Sequence, residues 1–172
     1  MIKLIGAIFI ILSSSLIGMK VASYYVLRST QLRQLQVALQ WLETQIVYGS
    51  TPLHVALNHI AVRMNGDVRY LFAAAADALT HLKEASTREC WESAIEKEWH
   101  KTALRKPEKE VLLQLGQVLG QSNREDQQKH IRLALMNLKS EEDVARAQQQ
   151  KYEKMCRSLG LLGGLLVVIL LY

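Results

Sequence analysis

The sequence predicts an all-α protein, a six-helix bundle domain whose first and last long helices continue into N- and C-terminal membrane segments. Only two Pro and nine Gly occur among 172 residues, which favours helix. Apolar residues recur at spacings of three and four, and no alternation of period two is sustained. Dense apolar blocks occupy residues 4–17 and 159–172, on either side of a charge-rich middle.

The first apolar block predicts a transmembrane segment over residues 1–27. Past Lys20, whose stem can snorkel, the apolar run continues to residue 27, and this length is sufficient for a hydrocarbon core of about 30 Å. A cleavable signal peptide with a small-residue site near residues 21–23 is the competing interpretation. We favour an uncleaved anchor because Lys20 directly precedes that site and the helical pattern continues without a break.

The last block, residues 158–172, is predicted to be a short transmembrane or membrane-inserted segment. Its uncharged helical stretch would span only about 21 Å, so a re-entrant or interfacial tail remains an alternative. Two pairs of small residues, Ser14 with Gly18 and Gly160 with Gly164, have the spacing that lets membrane helices approach closely.

Basic residues flank both apolar blocks on the side of the chain's middle: Lys20, Arg28, Arg33, Lys151, Lys154 and Arg157. Because basic residues near a membrane favour the cytoplasmic face, residues 28–157 are predicted to form a cytoplasmic helical domain beside the lipid bilayer. The net charge of +5 does not indicate nucleic-acid binding, since acidic residues are interspersed and no basic block occurs.

The first helix has an apolar face that Tyr48-Gly49-Ser50 brings to an end. The residues of this face are Leu32, Leu35, Leu39, Leu42 and Ile46. Thr51 is predicted to cap the second helix, with Pro52 at its first position, where the missing N–H costs nothing. Gly66 closes that helix.

Four further helices follow from their start signals. Asp67 is expected to cap an alanine-rich third helix, and Ser86 with Glu89 forms a capping box for the fourth. Residues 106–108 begin the fifth helix, whose buried stripe is Leu112, Leu115 and Leu119 and which Gly120 ends.

Ser122 and Glu125 are predicted to form a second capping box, and Glu125 with Asp126 complements the helix dipole at the start of the sixth helix. This helix contains no Pro and is expected to run to the C-terminus. Its glutamine-rich stretch, residues 145–151, is interpreted as a solvated stalk or as an interface with another subunit.

The sequence contains no motif that indicates catalysis. GxxxxGK[ST], HExxH and GxSxG are absent. Glu96 and His100 could supply two metal ligands from one helix, but no third ligand completes a site, and a surface ion pair is the better interpretation. The three tryptophans, Trp41, Trp91 and Trp99, are interpreted as core anchors. We therefore predict no enzyme activity, cofactor or metal.

Three strings resemble the stage III sporulation protein AB family of endospore-forming bacteria. They are residues 35–53 (LQVALQWLETQIVYGSTPL), residues 119–131 (LGQSNREDQQKHI) and residues 151–160 (KYEKMCRSLG). Together they extend the resemblance over essentially the whole chain. The element around Gly49 and Pro52 is also similar to the helical domains of the inner-membrane platform protein of type II secretion and type IV pilus systems.

The resemblance implies a component of a secretion-like channel complex joining mother cell and forespore, in the mother-cell membrane around the forespore. Expected partners are the cytoplasmic secretion-type ATPase of that complex, stage III sporulation protein AA, and other membrane subunits of the channel. The alternative is a purely structural, oligomerising membrane protein without ATPase coupling. A homo-oligomer is a candidate assembly in either case.

Two turns are candidates for ATPase docking. The first comprises Gly120, Ser122, Arg124, Glu125 and Asp126, whose polar side chains exceed what a helix cap requires. The second comprises Thr51 and Pro52. A purely structural role as capped helix starts is the competing interpretation of both turns.

Overall fold

The computed structural model describes residues 2–49, 51–81, 85–120 and 122–171, and most side chains before residue 23 and after residue 152 lie outside that description. Within the described ranges the chain is all helical and contains no strand, which confirms the six-helix prediction. The helices are α1 (Ile2–Tyr48), α2 (Leu53–Arg63), α3 (Val68–Thr80), α4 (Thr87–Glu98), α5 (Lys106–Gly116) and α6 (Arg124–Leu171), and a 3-10 turn (Trp99–Lys101) follows α4.

The chain divides into two compact units. Thr30–Asp143 form one, termed here the bundle unit, and Met1–Ser29 with Val144–Tyr172 form the other, termed the helix-pair unit. Each of the two long helices contributes one end to each unit.

The core of the bundle unit contains the predicted apolar face of α1. Leu32, Leu35, Leu39 and Leu42 are fully buried, and Ile46 at the end of the stripe is half-buried. The predicted stripe of the fifth helix is also buried at Leu112, Leu115 and Leu119, although the last of these lies beyond the end of α5. Helical spacing therefore identified the inward faces correctly.

Only one of the three tryptophans is a fully buried core anchor. Trp91 is 1% exposed, and its indole Nε1 donates a 2.8 Å hydrogen bond to the backbone carbonyl of Leu112. Its ring meets Phe72 edge-on, with 6.2 Å between ring centroids. Trp41 and Trp99 are half-buried, so the prediction of a core anchor is confirmed in full for Trp91 alone.

Two predicted helix starts are confirmed. In α4 the backbone N–H of Glu89 donates to Ser86 Oγ at 3.2 Å, and that of Ser86 donates to Glu89 Oε2 at 2.7 Å. In α5 the carboxylate of Glu108 accepts from the backbone N–H of Arg105 at 2.7 Å. The contacts at α4 are reciprocal and that at α5 is single, and all of them satisfy backbone donors at a helix start.

The starts of α2 and α3 differ from the prediction. Pro52, not Thr51, is the N-cap of α2, and its carbonyl accepts from Val55 and Ala56 at 3.0 Å. Asp67 occupies the N-cap position of α3 but makes no capping bond, because its backbone is already in the right-handed helical region. Its carboxylate instead accepts from Gln31 Nε2 at 3.4 Å.

The connection between α5 and α6 also differs. Helix α5 ends at Gly116, and Gly120 lies in the following turn with φ +73°. The predicted Ser122 capping box is wrong, because Asn123 Oδ1 accepts from the backbone N–H of Asp126 at 2.8 Å. Asn123 directly precedes the first residue of α6, whereas the Ser122 hydroxyl donates to the carbonyl of Val118 at 3.2 Å.

In the helix-pair unit, polar and aromatic contacts join α1 to α6. Tyr25 stacks on Tyr152 with 5.0 Å between ring centroids. Ser29 Oγ donates to Gln149 Oε1 at 2.7 Å, and Arg28 donates to Gln148 Oε1 at 3.3 Å. The glutamine-rich stretch is therefore not simply a solvated stalk, because two of its glutamines bind α1 of the same chain.

Within the part of the chain that the structure describes, no helix carries a stretch that is both long and apolar enough to cross a membrane. The predicted packing positions Ser14, Gly18, Gly160 and Gly164 lie in helical backbone, but their surroundings are outside the described side chains.

Candidate partner-binding groove

The two turns singled out from the sequence meet in one groove of the bundle unit, termed here the turn groove. Its volume is about 260 Å³. Its lining residues are Ile46, Gly49, Thr51, Pro52, Leu53, Ala56, Gly120, Arg124 and Gln127. The fold therefore brings the end of α1, the start of α2 and the start of α6 to a single surface.

One side chain braces the wall that precedes α6. Gln127 Nε2 donates to the backbone carbonyl of Ser122 at 2.7 Å, and Gln127 Oε1 accepts from the backbone N–H of Gly120 at 3.4 Å. A single glutamine thus contacts two residues of the α5–α6 turn, Gly120 and Ser122. Both hydrogen bonds tie these two residues to the first turn of α6.

Glycine is required at Gly120 by its φ of +73°, which disfavours residues with a Cβ atom. The space around it is also limited. A Cβ atom at this position would lie 3.1 Å from Cγ2 of Thr87 and 3.6 Å from Cδ2 of Leu53. The turn therefore lies close to the start of both α2 and α4.

The opposite wall begins where α1 ends. The backbone N–H of Gly49 donates to the carbonyl of Gln45 at 3.0 Å, and a Cβ atom at Gly49 would come within 2.4 Å of that same oxygen. Only glycine lets the chain leave the helix along this path without moving the backbone. Pro52 then fixes the entry into α2.

Four of the seven predicted interface residues line the turn groove, namely Gly120, Arg124, Thr51 and Pro52. Ser122, Glu125 and Asp126 lie on the same turn outside the lining, and Glu125 borders a separate depression with Lys129 and Met136. Sequence reasoning missed Ile46, Leu53 and Ala56, because apolar residues at helical spacing are indistinguishable from core residues in a sequence.

Charge in and around the turn groove is mixed. Arg124 is exposed at its edge, and the exposed carboxylates of Glu125 and Asp126 follow in the first turn of α6. These carboxylates complement the positive end of the helix dipole, whereas Arg124 opposes it. Arg124 is thus not placed to stabilise its own helix, and its side chain is exposed at the edge of the turn groove.

A buried carboxylate clamps α1 to α6 within the bundle unit. Glu142 is 2% exposed, and its Oε2 accepts from Gln36 at 3.0 Å and from Lys139 at 3.1 Å, while Arg33 lies 3.6 Å from Oε1. Burial alone would raise the pKa of Glu142, but these hydrogen bonds and the two cations outweigh it and hold the pKa below its usual value.

A second carboxylate reinforces the same helix pair. Glu43 Oε1 accepts from Arg132 at 2.7 Å and from Gln128 at 3.0 Å. Burial again acts to raise the pKa of Glu43, and the bonds from Arg132 and Gln128 with the charge of Arg132 lower it further than burial raises it. Two charge-assisted contacts therefore hold α1 and α6 in one register.

The metal-site alternative finds no geometry to support it. Glu96 pairs with Lys109 at 2.7 Å and not with His100, so the predicted Glu96–His100 ion pair is wrong. Helix α4 ends at Glu98, and His100 lies in the following 3-10 turn. Residues 96 and 100 therefore do not have the i,i+4 relationship that a continuous α-helix would give them. The described residues contain no cluster of three or more His, Cys, Asp or Glu side chains.

These features describe a helical protein with a groove lined by polar and apolar residues, and the described lining of the turn groove includes no His, Cys, Asp or Glu. The chain belongs to the stage III sporulation protein AB family, whose model matches residues 3–172. The resemblance stated from three sequence strings is therefore confirmed.

One relative is the stage III sporulation protein AB of Bacillus subtilis (strain 168), which is 45% identical over 171 residues covering 99% of both chains. A solved structure of stage III sporulation protein AB matches with a TM-score of 0.69 and 43% identity. The match covers 73% of this chain and 98% of that one.

Proposed function

We propose that this protein is a membrane-anchored platform or adaptor of a secretion-like sporulation channel between mother cell and forespore. In this role the bundle unit holds the cytoplasmic ATPase, stage III sporulation protein AA, at the membrane or couples it to the channel. The observation that supports the docking surface most directly is the turn groove. Two turns far apart in the sequence, each a candidate by its own residues, line one preformed concavity.

The membrane part of the proposal rests on the sequence. The apolar segments 1–27 and 158–172 would anchor the chain at both ends in the mother-cell membrane around the forespore, beside other channel subunits. The flanking basic residues would place the bundle unit in the cytoplasm, where an ATPase can reach it.

A platform that receives force from an ATPase must resist deformation. The contacts of Glu142 and Glu43 support this role, because each carboxylate joins α1 to α6: Glu43 accepts two hydrogen bonds from α6, and Glu142 accepts one from Gln36 of α1 and lies 3.6 Å from Arg33 of α1. Removing one partner from such a network leaves a buried group unsatisfied, so the two helices are costly to separate.

Docking can be tested with the full-length chain in detergent micelles and the purified ATPase. Arg124→Glu should weaken binding by about tenfold, which corresponds to about 1.4 kcal/mol, because it reverses the charge at the groove edge. Lys97→Glu is the matched control, since Lys97 is exposed on α4 and makes the same change of charge outside the groove. Its affinity should match that of the unmutated chain.

Failure of the unmutated chain to bind would remove this ATPase as the partner. Equal loss in both variants would instead indicate a general charge effect without a role for the groove. Topology is tested separately, by reporter fusions within the middle of the chain and at its C-terminus. A reporter in the middle that is active only outside the cytoplasm would contradict the proposed orientation.

The alternative role, an oligomerising structural protein, is supported by a different surface. Leu133 and Met136 are neighbours on one face of α6 and are 52% and 70% exposed. If this face mediates self-association, Met136→Glu should dissociate oligomers of the full-length chain while ATPase binding persists. A monomeric unmutated chain would exclude this role.

A further inference from the structure

A second groove lies on the bundle unit between α1 and the end of α2, and its chemistry differs from that of the turn groove. It has a volume of about 280 Å³. Its lining includes Arg33, Gln34, Val37, Trp41, Arg63 and Met64. We term it the arginine groove.

Large apolar side chains line the arginine groove. Trp41 is half-buried and Val37 is 37% exposed, so both present apolar surface to the solvent, whereas Met64 is buried. Tryptophan is enriched at the energetic centres of protein interfaces, and methionine adapts its shape to irregular partners. The groove is therefore suited to receive a bulky apolar side chain.

Charge in the arginine groove has one sign. Arg33 and Arg63 both line it, and its described lining contains no carboxylate. Arg63 is exposed and has no hydrogen bond or ion pair among the described residues. The Arg33 side chain is 65% exposed, and its Nε lies 3.6 Å from Glu142, so most of the side chain still faces solvent. Two guanidinium groups beside an apolar surface are complementary to a carboxylate next to an apolar group.

The wall formed by the α2–α3 turn is set before binding. Gly66 adopts φ +81°, and Asp67 after it accepts a hydrogen bond from Gln31, which is 1% exposed. Gln34 lies next to this turn, and its Oε1 is buried without a hydrogen-bond partner in the described part of the chain. A bound segment that donated to this oxygen, after a small rotation of the amide, would satisfy a buried acceptor.

We propose that the arginine groove binds an acidic amphipathic segment of a partner protein. A carboxylate of that segment pairs with Arg33 and Arg63, and an apolar side chain beside it packs on Val37 and Trp41. A protein segment is favoured over an anionic lipid headgroup, because a phosphate would engage the arginines but leave the apolar lining uncovered. This inference does not depend on ATPase docking at the turn groove.

The test uses the full-length chain in uncharged detergent and a short fluorescein-labelled helical peptide with leucines on one face and glutamates on the other. Fluorescence anisotropy should show saturable binding. Arg63→Glu should weaken it by about tenfold, and Arg63→Lys, which keeps the charge but loses the bidentate geometry, by about threefold. Lys97→Glu is the matched control, because it makes the same change of charge at an exposed position of α4 outside both grooves and should leave peptide affinity unchanged.

A peptide in which every glutamate is replaced by glutamine should bind much more weakly than the acidic one. Equal binding of the two peptides, or equal weakening by Lys97→Glu and Arg63→Glu, would overturn the proposal. Circular dichroism of each variant checks that the helices are intact. If Arg63→Glu disturbs them, the peptide affinity of Arg63→Lys tests the proposal instead.

Two further measurements address other occupants. If Arg63→Glu abolished binding to phosphatidylglycerol vesicles but left peptide affinity unchanged, the arginine groove would be a lipid-binding surface and the proposal would fail. If the unmutated chain were a dimer that Arg63→Glu dissociates, and the peptide did not compete, the occupant would be a second copy of this chain. Loss of peptide binding alone, with vesicle binding and oligomeric state unchanged, would support a protein segment.

Discussion

Gly116 lies directly against the indole ring of Trp91, so closely that a Cβ atom at residue 116 would come within 2.3 Å of ring atom Cδ1. Helix α5 thus approaches α4 by omitting a side chain opposite the largest residue of the core. The indole Nε1–H also donates a 2.8 Å hydrogen bond to the backbone carbonyl of Leu112, one turn before Gly116 on the same helix.

We expect Gly116→Ala to destabilise the bundle unit by about 1–3 kcal/mol, because the added methyl overpacks the Trp91 contact. Helix propensity alone predicts the opposite sign, since Ala is favoured over Gly by about 1 kcal/mol. Chemical unfolding of the full-length chain in detergent, followed by circular dichroism, measures the difference. Gln114→Ala, at an exposed position of the same helix, should change stability little, and a stabilised Gly116→Ala would contradict the described contact.

Glu142→Gln should remove a pH-dependent part of the stability. The pKa of Glu142 is lower in the folded chain than its ordinary value of 4.5, so its contribution is present above 4.5 and is lost as pH falls through the lowered value. At pH 7 the variant should be about 1–3 kcal/mol less stable, and the difference should shrink as pH falls below 4.5.

The measurement is urea unfolding of both chains across this pH range, with Glu110→Gln as the control. Glu110 is exposed and its nearest cation, Lys106, is 3.8 Å away, so little effect is expected there. A difference between Glu142→Gln and the unmutated chain that did not vary with pH would argue against the ion pairs.

Asn123→Ala should cost about 1 kcal/mol, whereas Ser122→Ala should cost less, because Asn123 and not Ser122 accepts the capping bond from Asp126. Asn123→Asp keeps an acceptor at the cap and should preserve stability. Thermal unfolding ranks the three variants. If Ser122→Ala were the most damaging, the capping box expected from the sequence would be correct after all.

Gln127→Ala should weaken ATPase binding more than it weakens the fold, since Gln127 braces the α5–α6 turn from a half-buried position. An affinity loss of about fivefold to tenfold is expected, because without the glutamine the α5–α6 turn would adopt more conformations and the one that binds the ATPase would be less populated. Affinity and unfolding are measured on the same preparation, with Gln114→Ala as the control. An unchanged affinity would mean that the turn does not contact the ATPase.

Much of the helical framework was predictable because its signals act over a few residues. The Ser86–Glu89 capping box and the buried stripe of α1 follow from spacing alone. Two predicted caps were wrong by one residue: the structure has Pro52 and Asn123 where Thr51 and Ser122 were predicted. At the start of α6 the reason is that neighbouring polar residues compete for the same backbone donors.

Other features could not be predicted because residues of the same type have different roles. Trp91 and Trp41 read alike in a sequence, yet one is a core residue and the other lines the arginine groove. The sequence also contains no pattern that indicates a structural role for Gln31. Its buried side chain accepts from the backbone N–H of Ala103 at 2.7 Å and donates to Asp67, a link between segments distant along the chain.

The sequence by itself determined the helical class, the order of the six helices and the family, because helical periodicity, caps and characteristic strings are local properties of the chain. Only the tertiary structure decided that Thr51 and Arg124 line one groove, that Arg33 and Arg63 line another, and that Glu142 is buried. The physical reason is that these relationships depend on how helix faces pack against one another, and packing joins residues that no local pattern connects.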